Sequence, residues 1–235
     1  MDNYPKGFRP MLQHEPGSEE ERDANKFLTE FHESIGVMVQ FFPAIEGMLF
    51  DVLGLLLMVP RKFALAVFTD VRIDKAMEAA RRLIHVRKET SPNKAREERI
   101  ERWLIYVFDQ LALLNSVRNH LVHYGVIGSL GFDDNQNIVS SNRSRARTEA
   151  HVREIPISIE LLKSIITDEG GVTLALSYII TALNFPQEFE KSGEAIERQM
   201  KETTWRYKPP AQENRRGKSQ NKGQKQPHRP QSSPA

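Results

Sequence analysis

The chain has 235 residues, of which 39% are hydrophobic, and this is enough for one domain of moderate size with a buried core. It contains no cysteine, which excludes a disulfide framework and thiolate catalysis and fits a cytoplasmic protein. The formal net charge is only +2, so any attraction to a polyanion must come from a local concentration of basic side chains.

Residues 1–22 are polar, contain Pro5, Pro10 and Pro16, and include the acidic run Glu19–Glu21. This segment has no apolar core of the kind that a signal peptide needs. We expect residues 1–20 to be disordered, because they offer little apolar surface to bury.

Apolar residues at three- and four-residue spacing predict an all-α bundle of five to six helices over residues 21–205. Pro43 should kink or restart the first helix, and Pro186 should kink the last one. The predicted helices span residues 20–59, 60–68, 70–86, 94–124, 158–168 and 171–203.

The most hydrophobic stretch, residues 35–59, also contains Gln40, Glu46 and Asp51. Polar and charged groups at this density argue against a membrane span. We therefore expect a buried helix and no membrane partner.

The predicted helix over residues 94–124, which Gly125 should stop, carries the most informative pattern of the chain. Its core stripe consists of Ile100, Leu104, Val107, Leu111 and Leu114. The next member of that series is Arg118, and an arginine in such a position must find a partner, reach water or face another subunit. Asn115, Asn119 and His123 follow at i, i+4 and i+8, so a polar seam should run beside it and mark a site.

Arg118, Asn119 and His123 resemble the signature of the HEPN superfamily, in which an arginine and a polar residue precede a histidine. The resemblance covers residues 25–200 as a helical pattern and residues 118–123 as a motif. It implies a metal-independent endoribonuclease, a toxin or antiviral effector whose two motifs meet at a dimer interface. Other members of the superfamily lack activity and bind RNA or a protein partner.

The residues themselves suit RNA cleavage, because the ribose 2′-hydroxyl is the nucleophile and only proton transfer and phosphate stabilisation remain. His123 can act as general base or acid, Arg118 can grip phosphate oxygens, and Asn119 can orient either of them. On an ideal helix Arg118 and His123 point about 140° apart and lie about 7.5 Å apart along the axis. Two facing helices would bring them together more easily than one, which favours a composite site in a homodimer.

A structural interpretation of the same residues remains open. Arg118 could pair with a core carboxylate such as Glu46 or Asp51, and His123 could cap the C-terminal end of its helix. Asn119 could hydrogen-bond a neighbouring helix.

His120 and Tyr124 are weaker candidates for RNA contacts. Some toxins of the superfamily carry a tyrosine two residues after the histidine, which a nucleotidyltransferase modifies. Tyr124 follows His123 directly, so the chain departs from that pattern.

Residues 126–157 interrupt the helical pattern, and residues 137–141 and 151–157 could form a β-hairpin. Arg143, Arg145 and Arg147 would share one face of an extended segment and could follow an RNA backbone. Alternatively, they lie in a solvated loop.

Residues 206–235 contain eight Lys or Arg side chains and one acid, Glu213, which gives this segment a charge of +7 and leaves −5 for the rest of the chain. We expect a disordered tail that acts either as a non-specific arm for RNA or as a solubilising segment.

No metal-ligand spacing and no nucleotide-binding motif appears, so the sequence predicts neither a metal nor a cofactor. An antitoxin or another partner protein fits the predicted role as a toxin.

Overall fold

The computed structural model describes residues 9–10, 17–125, 131–132, 138–141, 154–202 and 205–209. These residues form the predicted all-α bundle, with a small antiparallel sheet beside it. The helices are α1 (Glu19–Leu57), α2 (Arg61–Phe68), α3 (Ile73–Thr90), α4 (Lys94–His120), α5 (Ile159–Asn184) and α6 (Phe189–Glu202). The strands are β1 (Arg9–Pro10), β2 (Gly131–Phe132), β3 (Ile138–Ser141) and β4 (Glu154–Ile157).

The first helix, α1, has nearly the predicted length and runs through Pro43 as one element. The Ser18 hydroxyl caps it by accepting a hydrogen bond from the Glu21 amide at 3.1 Å. Pro43 lies inside α1 and does not end it. The helix stops at Met58, which adopts a left-handed conformation with φ of 56°.

Helix α4 lies between two antiparallel neighbours. Against α3, the Arg81–Asp109 and Lys88–Glu101 ion pairs are 3.3 and 2.6 Å long. Against α5, the Gln110 side-chain amide donates to Asp168 at 2.9 Å. Helix α4 also contacts α6, so its side chains pack against at least three of the other five helices.

Helix α5 corrects two of the predicted boundaries. It runs unbroken through Gly170 and Gly171, where the sequence predicted a gap between two helices. A Cβ on Gly171 would lie 2.9 Å from the Trp205 side chain, so this glycine allows close packing without ending the helix. Pro186 begins a 3₁₀ turn, Pro186–Glu188, that separates α5 from α6 and does not kink a single helix.

The predicted hairpin after the motif helix is confirmed. Strands β3 and β4 are antiparallel, with Ile138 opposite Ile157 and Ser141 opposite Glu154. The outer strand β1 pairs with β2, so Arg9–Pro10, which the sequence assigned to a disordered segment, has a place in the sheet. Residues 19 and 20 of that segment belong to α1, and residues 1–8 and 11–16 lie outside the described residues.

Residues 205–209, here called the C-terminal strap, pack against the bundle. The Arg206 and Tyr207 amides donate to the two carboxylate oxygens of Asp168, at 3.0 and 2.7 Å. Tyr207 is only 3% exposed, and the Trp205 ring stacks on Tyr106 with 4.9 Å between centroids. The predicted boundary of the tail at residue 206 is therefore wrong, and the described body extends to residue 209.

Within the described residues, Glu21–Leu57 is long and apolar enough to cross a membrane by length and composition alone. A core helix of a soluble bundle passes the same test. Met38, Phe42, Ile45 and Leu53 of this helix are fully buried, which is compatible with a soluble bundle.

Candidate functional site at the end of α4

The predicted core stripe of α4 is present, but near the C-terminal end of the helix the buried residues differ from those predicted. All five of its predicted members are fully buried: Ile100, Leu104, Val107, Leu111 and Leu114. Beyond them the stripe continues through Val117 and Leu121, each 2% exposed, while Arg118 is only partly buried. Arg118 therefore lies at the edge of the core and not in the stripe itself, where its charge would be fully desolvated.

The guanidinium of Arg118 has two described contacts. Its central carbon lies 5.1 Å from the ring centroid of Phe42 on α1, a cation–π arrangement. Its Nη1 donates to Oδ1 of Asn119 at 3.2 Å. Its Nε is buried and has no hydrogen-bond partner among the described residues. The sequence singled out Arg118 and Asn119, and the structure joins them.

No carboxylate among the described residues forms an ion pair with Arg118. Asp51, one of the two predicted structural partners, pairs instead with Arg61 at 2.5 Å. The other predicted partner, Glu46, has no ion pair with Arg118 either, as far as the described chain shows. This leaves a cation at the rim of the core whose positive charge the described part of the protein does not neutralise.

The backbone changes helical type just after Arg118. Helix α4 ends at His120, and Leu121–Gly125 form a π-helical turn where the sequence predicted continued α-helix. A π turn holds more residues than an α turn, so the offset of His123 from Asn119 around the helix axis differs from that in a continuous α-helix.

The two histidines of the motif differ in exposure. His120 is 6% exposed, which does not favour the direct RNA contact that the sequence suggested for it. His123 is exposed, as a residue acting on an external substrate must be. The side chain of Tyr124 and the whole of Arg143, Arg145 and Arg147 lie outside what the structure describes, so these RNA-contact predictions stay predictions.

The structure also reveals polar groups that the sequence reading missed. Asp168 and Glu169 are adjacent acids on α5, and they are 2% and 0% exposed. Asp168 holds the C-terminal strap, whereas both carboxyl oxygens of Glu169 are buried with no hydrogen-bond partner among the described residues. Burial raises the pKa of Glu169 from 4.5 to about 8. Two adjacent acids in the middle of a largely apolar helix were a visible signal for such a feature.

Within the described ranges, no group of three His, Asp or Glu side chains is placed to hold a metal ion. The chain matches no protein-family model, no curated protein and no solved structure. The site must therefore be interpreted from its own residues.

Proposed function

We propose that the chain is a metal-independent endoribonuclease of the HEPN type, acting as a cytoplasmic toxin or antiviral effector. The observation that carries the proposal is Arg118, a cation at the rim of the core, joined to Asn119 and without a carboxylate partner among the described residues. A guanidinium in this state attracts an anionic ligand, and a phosphate of RNA is an anion of suitable geometry.

The proposed chemistry divides between two side chains. Arg118 stabilises the negative charge that develops on the phosphate when the ribose 2′-hydroxyl attacks it. His123, exposed on the π turn, transfers the proton to or from the reacting oxygens as general base or acid. Asn119 fixes one edge of the guanidinium through the bond from Nη1.

The site is proposed to be completed by a second copy of the chain. Arg118 is partly buried at the end of α4 and His123 is exposed on the following turn, so they differ in accessibility within one protomer. Two facing copies can place His123 of each beside Arg118 of the other. Light scattering should then give roughly twice the 27.0 kDa mass of one chain.

The decisive experiment is incubation of the purified protein with mixed RNA in the presence of EDTA. We expect cleavage that EDTA does not affect, with 5′ products ending in a 2′,3′-cyclic phosphate. A strict monomer, or a requirement for a divalent cation, would contradict the proposed mechanism.

A second candidate is a non-catalytic module that binds RNA or a protein partner such as an antitoxin. The observation that favours it is the π turn Leu121–Gly125, which carries His123 and departs from the continuous α-helix that the sequence predicted for the motif. Wild-type protein that binds RNA but never cleaves it would support this candidate.

A further inference from the structure

We propose that Phe42 is a positioning residue for Arg118, and that it makes the guanidinium present its terminal edge to an anionic oxygen. The inference rests on the proposed function for its catalytic consequence, but its structural part can be tested without RNA. No sequence pattern indicates this contact, because Phe42 belongs to another helix and lies far from the motif along the chain.

The Phe42 ring is itself held in place. It is fully buried, and Met38 and Ile45, which lie on the same side of α1 one turn before and after it, are also fully buried. A ring packed on this side cannot turn freely, so its face offers the Arg118 guanidinium a fixed platform at 5.1 Å.

The contacts of Arg118 leave one edge of the guanidinium for a ligand. Nε is buried, so the side edge that includes it is closed to an external ligand. One hydrogen of Nη1 is directed at Asn119. What remains for a ligand are Nη2 and one hydrogen of Nη1, on the two nitrogens of the terminal edge, and these can donate to phosphate oxygens end-on.

The molecule contains a matched contact that serves as a control. Arg81 lies over the ring of Phe108 at 5.5 Å, and Phe108 is fully buried like Phe42. Arg81, however, is also paired with Asp109 and lies outside the motif. The same change at Phe42 and at Phe108 therefore removes the same kind of interaction, once at the site and once away from it.

The test uses full-length protein with phenylalanine analogues that carry one, two or three ring fluorines, placed at position 42 or at position 108. Fluorine withdraws charge from the face of the ring and weakens its attraction for a cation, while the ring keeps nearly the same shape. At position 42, kcat for RNA cleavage should fall stepwise with each fluorine, to about one tenth in the most fluorinated protein. At position 108, kcat should stay unchanged.

A second readout separates this inference from the proposed activity. The NMR signal of the Arg118 Nε–H group, assigned by its loss in Arg118→Lys, should shift stepwise across the series at position 42 and stay fixed across the series at position 108. A constant Arg118 signal, or equal effects at the two positions, would overturn the positioning role. If the wild type cuts no RNA but the Arg118 signal follows the fluorine series, the proposed function fails and the positioning role of Phe42 stands.

Discussion

The charged side chains at the two ends of α4 differ in whether a described residue of opposite charge binds them. Near its N-terminal end, Glu97 is 2% exposed and is bound by Arg87 through Nε and Nη2, at 3.1 and 3.2 Å. Two residues further along the helix, Arg99 is bound to Glu190 and Glu197 of α6 at 2.8 and 3.0 Å. At the other end, Arg118 has an aromatic ring and a neutral amide, and no carboxylate among the described residues.

This difference indicates what each end of the helix is for. A buried charge with its counter-charge is a structural unit, because removing one partner leaves the other uncompensated. A cation at the edge of the core without a counter-charge leaves that interaction open to a ligand. The N-terminal end of α4 therefore holds the bundle together, and the C-terminal end is the candidate site.

The largest expected effect concerns Arg118, which has no carboxylate partner among the described residues. Replacing Arg118 with Ala should lower the rate of RNA cleavage about 100- to 1,000-fold, because a charged donor to the reacting phosphate is lost. Arg118→Lys should recover little, since an ammonium lacks the planar fork. Cleavage of a labelled RNA and thermal unfolding should be measured on the same preparations.

The matched control lies at the other end of the helix. Glu97→Gln should lower the free energy of unfolding by about 2–3 kcal/mol, below the full range for a buried pair because Arg87 keeps some access to water. It should leave cleavage by the folded protein unchanged. If Arg118→Ala behaved like Glu97→Gln, both ends of α4 would be structural.

The second prediction tests the proton-transfer role of His123. His123→Ala should lower cleavage about 100-fold or more, while the free energy of unfolding changes by less than about 0.5 kcal/mol because the side chain is exposed. His85→Ala is the control, since His85 is also exposed and is placed on α3, 3.3 Å from Glu89. Equal activity of the two variants would exclude His123 from the chemistry.

The third prediction concerns the buried acid Glu169, whose carboxyl oxygens have no hydrogen-bond partner among the described residues. Glu169 holds its proton more tightly in the folded chain, where its pKa is about 8, than in the unfolded chain, where it is 4.5. Stability should therefore fall by a few kcal/mol as the pH rises from about 4.5 to 8, and this contribution should level off above that range. Urea unfolding at several pH values measures the slope.

Glu169→Gln should flatten that slope, because the amide does not ionise. The variant should be at least as stable as wild type at pH 8. A wild-type slope that survives in Glu169→Gln would assign the pH dependence to other groups.

The smallest expected effect concerns the C-terminal strap. A chain ending at Pro209 should keep the thermal midpoint of wild type, whereas a chain ending at Thr204 should lose about 2–3 kcal/mol, or about 5–10 °C. The second truncation removes the burial of Tyr207 and both amide bonds to Asp168. Scanning calorimetry of the two chains tests this difference.

The same two truncations also test the basic tail. Both lack the six basic residues beyond position 209, so RNA binding should weaken and its salt dependence should flatten in both, slightly less in the chain that keeps Arg206 and Lys208. A salt slope equal to that of wild type would leave the tail as a solubilising segment.

Features set by local periodicity could be predicted from the sequence. The core stripe of α4 follows from its three- and four-residue spacing, and the hairpin follows from alternating segments between turn residues. Arg118 and Asn119 stood out because polar side chains interrupted that spacing.

Features set by distant contacts could not be predicted in the same way. The sequence placed a helix break at Gly170–Gly171, because glycine weakens a helix when its surroundings are unknown. Trp205 supplies those surroundings, and it lies beyond the last predicted helix, which was expected to end at residue 203. Nothing in the sequence of α1 distinguishes Phe42 from its other apolar residues or shows that Arg118 of α4 lies over its ring.

The strap also constrains the order in which the protein can complete its fold. Asp168 accepts the amides of Arg206 and Tyr207, so this buried carboxylate lacks two of its partners until nearly the whole bundle has been synthesised. A chain that emerges N-terminus first can form α1 to α5 early, but it must keep that acid solvated until the strap arrives. Docking of the strap on Asp168 is therefore expected to follow the formation of the helices that precede it in the chain.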